Sequence, residues 1–186
     1  MVREDIDSFI KTIPNNVILV AATKYASIDD MFILLKHGIN NFGENRVDSF
    51  LNKYNELKNE NIIWHFIGHL QRNKCKDIIN KIDILHSLDS LELAKIIEKE
   101  RHDILPTFIE VSINLEENKN GVDYRYLKDF IIKMKEFKKI KELRNNLEQE
   151  LNISLPYLSM GMSDDYVEAI SQGANYIRLG RILFDL

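Results

Sequence analysis

Val17-Ile-Leu-Val-Ala-Ala-Thr-Lys24, followed closely by Ser27-Ile-Asp-Asp-Met-Phe-Ile-Leu-Leu-Lys-His-Gly38, reads as one strand and one helix in succession. Val17 to Ala22 are continuously apolar, as expected of a strand buried on both faces of a parallel sheet. Ser27 supplies an N-cap, Asp29 and Asp30 place acids in the first turn, and Gly38 stops the helix. The same grammar returns near the other end, where Ser163-Asp-Asp165 opens Tyr166 to Gln172 and Gly173 closes it. Further strand-like segments lie at 40–42, 62–66, 82–86, 107–112, 157–159 and 176–179, and most are separated by helical patterns such as Ser90 to Glu98. Strands alternating with helices predict an α/β fold with a parallel sheet. An amphipathic stretch bearing Ile6, Phe9, Ile10 and Ile13 precedes the first strand and is expected to pack outside it.

Seven strands in this register are one short of a closed (β/α)8 TIM-barrel-like domain. The segment from Leu127 to Leu151 shows where the eighth belongs. Leu127, Phe130, Ile131 and Met134 lie on one helical face, whereas Leu143, Leu147 and Leu151 lie on roughly the opposite one. No glycine or proline breaks the stretch. A strand is therefore expected to be missing near residues 138–141, with a bent helix, or two helices meeting at an angle, as the alternative.

Composition narrows the class. The chain has 186 residues, 45% hydrophobic and 29% charged, which predicts one domain spanning residues 1–186. A net charge of −4 gives no electrostatic footprint for nucleic acid or an anionic membrane. Cys75 is the lone cysteine, so no internal disulfide framework exists, and a reducing, cytoplasmic setting is expected. The first residues lack the apolar core of a signal peptide, and no apolar run approaches the length of a membrane span. The helix stripes leave no extra apolar patch, so a monomer is expected.

Ligands of parallel α/β folds sit at the carboxyl ends of the strands. That rule selects Lys24, Glu44 and Asn45, His65, His86, and the two junctions Ser159-Met-Gly-Met-Ser163 and Arg178-Leu-Gly-Arg181. Lys24 is expected to rise at an apolar mouth, where desolvation favours a neutral, nucleophilic amine. A lysine snorkelling at a strand end, or pairing with Glu44, is the plainer alternative. The two late junctions suit a phosphate group, with the Ser163 hydroxyl and the Gly180 and Arg181 amides as donors and Arg178 as the nearby cation. Two tight turns with Ser163 as a simple N-cap would look the same in sequence. His65 and His69 are four apart, but Gly68 removes the helix that would align them, so no metal site is expected. The lysine run from Lys133 to Lys141 reads as a solvated helix face. Cys75, between Lys74 and Lys76, reads as a bystander thiol whose neighbours could lower its pKa.

Six blocks in order carry a resemblance. They are Ala21-Ala-Thr-Lys24, Phe42-Gly-Glu-Asn45, Trp64-His-Phe-Ile-Gly-His-Leu-Gln71, His86-Ser-Leu-Asp-Ser90, Leu158-Ser-Met-Gly-Met-Ser-Asp-Asp165 and Ile177-Arg-Leu-Gly-Arg-Ile-Leu-Phe184. In these the chain resembles the pyridoxal phosphate homeostasis protein family. The resemblance implies a barrel like the N-terminal domain of alanine racemases, holding pyridoxal 5′-phosphate (PLP) as a Schiff base on Lys24. It also implies that Ser163, Gly180 and Arg181 bind the phosphate, that Arg178 is the basic residue near the cofactor, and that Asn45 stands near the ring. His65, at a strand end, is counted with these cofactor-binding residues. The implied role is to bind, buffer and deliver PLP to apo forms of PLP-dependent enzymes, without catalysis. Members of the family carry a Gly-Leu-Met-type strand that this chain lacks, where the apolar stripe changes face.

Two other readings remain at this stage. A PLP enzyme, either racemase or decarboxylase, needs acid–base groups about Cα, and racemisation needs one on each face. The related racemases take the second from a further β-domain, of which the sequence shows nothing, and none of Tyr25, His65 and His86 is a committed base. A Schiff-base aldolase acting on a sugar phosphate would share the lysine and the phosphate loop but predict no chromophore.

Overall fold

The computed structural model describes residues 1–112, 121–134, 157, 159–171 and 174–184. The expected discontinuity at 138–141 and the helix stop at Gly173 lie outside the described residues. The described chain divides into two compact units, one comprising Met1–His65 with Tyr157–Leu186, the other Phe66–Pro156.

In the first unit, helix α1 (Ile6–Ile10) precedes strand β1 (Ile18–Ala22), and α2 (Ile28–Lys36) follows it. The Ser27 hydroxyl accepts from the Asp30 amide while the Asp30 carboxylate accepts from the Ser27 amide, closing a capping box. At the other end Gly38 adopts φ +81°, the conformation expected of a C′ glycine. Strand β2 (Asn41–Glu44), helix α3 (Val47–Glu56) and strand β3 (Ile63–Phe66) come next. Beyond residue 156 the unit adds helix α7 (Tyr166–Ser171) and strand β8 (Tyr176–Leu179). The strand order in this unit is β3-β2-β1-β8, and β1 is parallel to both its neighbours. The segment expected as a strand at 157–159 contributes a parallel bridge, Ser159 with Tyr176.

Register fixes which side chains share a face. Ala21 lies opposite Phe42 and Leu179, and Val20 opposite Arg178. Side chains alternate along a strand, so Phe42 and Trp64 face α3 while Asn41 and His65 face the other way. The helix side is dry: Phe50 of α3 meets Trp64 edge-on with centroids 5.3 Å apart, and Phe42 lies 6.1 Å from the same indole. Val20, Ala21, Met31, Leu34, Phe42 and Phe50 are fully buried.

The second unit contains α4 (Cys75–Ile78), β4 (Ile84–Leu88), α5 (Leu91–Glu100), β5 (Thr107–Ile109), β6 (Val111–Ser112), β7 (Val122–Asp123) and α6 (Leu127–Met134). Strands β4 and β5 are parallel, as are β6 and β7. Two expectations shift here. The strand expected at 82–86 begins at Ile84, because the Ile82 amide is spent on the Ile78 carbonyl at the end of α4. The single strand expected at 107–112 divides at Glu110. The Glu110 amide still bonds Leu88, but its carbonyl accepts from Val122 at 2.6 Å, and β6 pairs with β7 instead. Gly121, at φ +117°, allows that approach, since a Cβ there would stand 3.0 Å from the Ser112 amide nitrogen. The Ile78, Ile79, Ile82, Leu85 and Leu93 side chains make this unit's buried core.

Candidate functional site

The seven residues counted as cofactor-binding all fall in the first unit, whereas His86 lies on β4 in the second. By register, Val20 and Ala22 lie on one sheet face with Asn41 and Gly43 of β2 and Tyr176 and Arg178 of β8, and Lys24, Asn45 and Gly180 follow just beyond the carboxyl ends of those three strands. His65 joins them through its Nε2, 2.9 Å from the Asn41 Oδ1. The face is therefore layered. Tyr176 is lowest, then Arg178 with Val20 and Asn41, then Gly180 with Ala22 and Gly43, and Lys24 and Asn45 stand at the rim.

At the rim the backbone tightens. The Thr23 amide donates to the Gly43 carbonyl at 3.0 Å, and its hydroxyl donates to Glu44 Oε1 at 2.7 Å. Lys24 follows, and its side chain is exposed, not desolvated as the apolar mouth led us to expect. Its amine lies 4.7 Å from the centroid of the exposed Tyr25 ring. A hydrogen bond from Lys24, helped by its charge, holds the Tyr25 phenol below its ordinary range. Glu44 does not pair with Lys24; it is fully buried and its Oε1 sits 2.6 Å from Lys53 Nζ.

The two late junctions meet at Ser163. Its Oγ accepts from the Gly180 amide at 3.2 Å and the Ile182 amide at 3.3 Å, and no cap bond to α7 is made by its side chain among the described residues. The N-cap alternative is set aside on that geometry. Two amides at the start of the short 3-10 turn Arg181–Leu183 thus converge on that one hydroxyl oxygen, whose own proton is left to donate. Arg181 is exposed and its guanidinium bonds the Asp164 carboxylate, while Asp165 accepts from the Met162 amide at 2.6 Å. Both carboxylates next to Ser163 thereby accept hydrogen bonds from the protein itself. Arg178 donates to the Ser159 hydroxyl at 2.7 Å and to its carbonyl at 2.9 Å, which keeps the cation on the site face below Gly180.

His65 is fully buried within β3 and sits a layer below the rim, not at the strand's end. Burial brings its imidazole down to about pKa 4. Asn45 reaches the rim with Oδ1 buried and without a hydrogen-bond partner among the described residues. Sequence reasoning missed Lys53 and Thr23; the available signal was Glu44 itself, whose even position on β2 turns it away from the site face and under α3.

This donor set fits a phosphorylated aldehyde. The Ser163 hydroxyl and two amides suit a phosphate, Lys24 offers a primary amine, and Asn45 keeps an unused polar atom. A Cβ built on Gly180 would meet only the Ala22 Cβ and carbonyl oxygen, each at 3.6 Å. Protein packing does not demand a glycine there, but a ligand crossing that spot would. Among the described residues no group of three His, Cys, Asp or Glu could hold a metal ion, and no helix is long and apolar enough to cross a membrane.

The architecture is that of the alanine racemase barrel class. PipY of Synechococcus elongatus PCC7942, solved without and with PLP, superposes with TM-scores of 0.87 and 0.84 at 26% and 25% identity, covering 98% or more of both chains. The alanine racemase of Clostridium difficile 630 matches over 58% of its length with a TM-score of 0.67 at 14% identity, a likeness of fold, and covers all of this chain. In sequence, the pyridoxal phosphate homeostasis protein of Aquifex aeolicus is 38% identical over 175 residues, covering 79% of this chain and 77% of the relative. That of Synechocystis sp. is 34% identical over 204 residues, covering 94% of each. The chain belongs to the pyridoxal phosphate homeostasis protein family. No family model matches it. The Synechocystis match spans more positions than the 186 residues of this chain, so that relative carries residues opposite gaps in it.

Proposed function

We propose that residues 1–186 form one PLP-binding domain that holds the cofactor on Lys24 and serves intracellular PLP homeostasis without turning over a substrate. The observation that carries this reading is the convergence of Ser163 with the Gly180 and Ile182 amides on the sheet face whose rim bears Lys24 and Asn45. Bound PLP supplies an aldehyde and a phosphate dianion. Lys24 is the residue that would hold the aldehyde carbon, through its side-chain amine in the neutral, nucleophilic form. Ser163 and the Gly180, Arg181 and Ile182 amides would hold the phosphate, Arg178 would add positive charge on the same face, and Asn45 would offer its amide oxygen to the ring.

The same face supports a carrier over an enzyme. General acid–base work at neutral pH favours a group that titrates near the operating pH. His65 is committed to Asn41, lies below the rim, and is neutral down to about pH 4. Recipients are then apo forms of PLP-dependent enzymes, served by a monomer in the cytoplasm.

The test is an absorption spectrum of the protein with PLP, beside Lys24→Ala, followed by borohydride reduction and peptide mapping. We expect a Schiff-base band in the parent, no band in the variant, and the reduced label on Lys24. A parent with no band, or a label elsewhere, overturns the reading.

A further inference from the structure

We propose that Lys53, anchored by buried Glu44, is the positioning residue that sets the direction in which Lys24 leaves the sheet. The inference rests on Lys24 being the cofactor-bearing residue and concerns groups on the opposite face of the sheet. Strand β1 ends at Ala22, so Thr23 is the last residue whose placement the sheet controls before Lys24. Every polar group of Thr23 is held. Its amide bonds Gly43, its hydroxyl bonds Glu44 Oε1, and its carbonyl accepts from Lys53 Nζ at 2.5 Å and from the Ala26 amide at 3.0 Å. That carbonyl belongs to the peptide plane joining Thr23 to Lys24, and the plane's tilt sets where the Lys24 Cα–Cβ bond points.

The ion pair is unsuited to a purely stabilising role. Glu44 is fully buried and the Lys53 side chain is 12% exposed, so both groups have given up most of their hydration. Buried pairs of this kind seldom stabilise a fold more than apolar residues of the same volume. Glu44 Oε2 also lacks a hydrogen-bond partner among the described residues, so the carboxylate is not even fully compensated. What the pair does hold is one ammonium group, fixed between a carboxylate and a single main-chain carbonyl one residue before Lys24. Lys53 reaches that carbonyl from α3, nine residues after Glu44, and so ties the rim of β1 to a rigid element.

The test compares two probes. PLP can bond Lys24 covalently; pyridoxamine 5′-phosphate has the same ring and phosphate but no aldehyde and cannot. For Lys53→Met we expect PLP affinity, read from the Schiff-base band, to fall about tenfold, the weight of one charge-assisted hydrogen bond. Pyridoxamine 5′-phosphate affinity, measured by calorimetry, should change less than about twofold. Because Lys53→Met leaves a buried carboxylate alone, Glu44→Gln with Lys53→Met is made in parallel, removing both charges, and the same split is expected. Equal weakening of both probes, no weakening of either, or failure of both variants to fold would each assign the pair a structural role and overturn the proposal. If the parent itself shows no Schiff-base band, the reading beneath has failed, and that is seen before any Lys53 variant is compared.

Discussion

At the scale of single residues, two glycines that each follow a strand-like segment do different work. Gly161 has φ +95°, and a Cβ there would stand 2.6 Å from the Ala169 Cβ and 3.1 Å from the Tyr166 Cα. The backbone at this junction therefore approaches α7 closely. Gly161→Ala combines a left-handed backbone with a clash against a helix and should destabilise the protein by about 2–4 kcal/mol in chemical denaturation. Gly180 meets no such obstacle, since its added methyl would find ordinary contacts. Gly180→Ala should leave stability within about 0.5 kcal/mol of the parent. It should still weaken PLP binding about tenfold, because the methyl occupies space on the site face. If both variants behave alike, in either assay, the division of roles is wrong.

At the scale of elements, β3 shows how burial on the site face governs a titration. His65 is enclosed on that strand and its imidazole is brought from 6.5 to about 4 by loss of hydration. Between those values the unfolded chain takes up a proton that the folded chain refuses. Stability contributed by the neutral imidazole is thus complete above about pH 6.5 and is lost as pH falls toward 4. The loss should be on the order of 3 kcal/mol. Denaturation curves from pH 7 to pH 4 should show it in the parent, and His65→Gln should flatten the slope; an unchanged slope would place the titration elsewhere. Elements like this were legible to different depths. Strand β1 and helix α2 announce themselves through an unbroken apolar run and a complete set of caps, which are local signals. The end of β5 is not local: nothing about Glu110 says that its carbonyl will be claimed by Val122. In the site, Lys24, Ser163 and Gly180 could be read from their places after strands. The alternative of a Glu44–Lys24 pair fails on alternation, since Glu44 faces α3, and Lys53 was invisible because its role exists only once α3 packs against β2.

At the scale of the whole molecule, the candidate site and the lone cysteine lie in different compact units. That separation allows a test of whether the chain unfolds as one domain, as we propose. Cys75 is fully buried on α4. Burial first, then the Glu100 and Asp77 carboxylates, pushes its thiol up to about 12, so the lysines beside it in sequence do not set its chemistry. A thiol so enclosed and so weakly acidic reacts only when its surroundings open. Its alkylation rate at neutral pH therefore reports the opening of the second unit. PLP binds the first unit in our reading and protects only what unfolds with it. Ligand at about a hundred times its Kd lowers the unfolded fraction about a hundredfold. If the two units open together, alkylation of Cys75 should slow by that same factor, and Lys24→Ala should abolish the protection. An alkylation rate indifferent to PLP, in a parent that shows the Schiff-base band, would mean that the unit bearing Cys75 opens on its own and that cofactor binding stabilises the other alone.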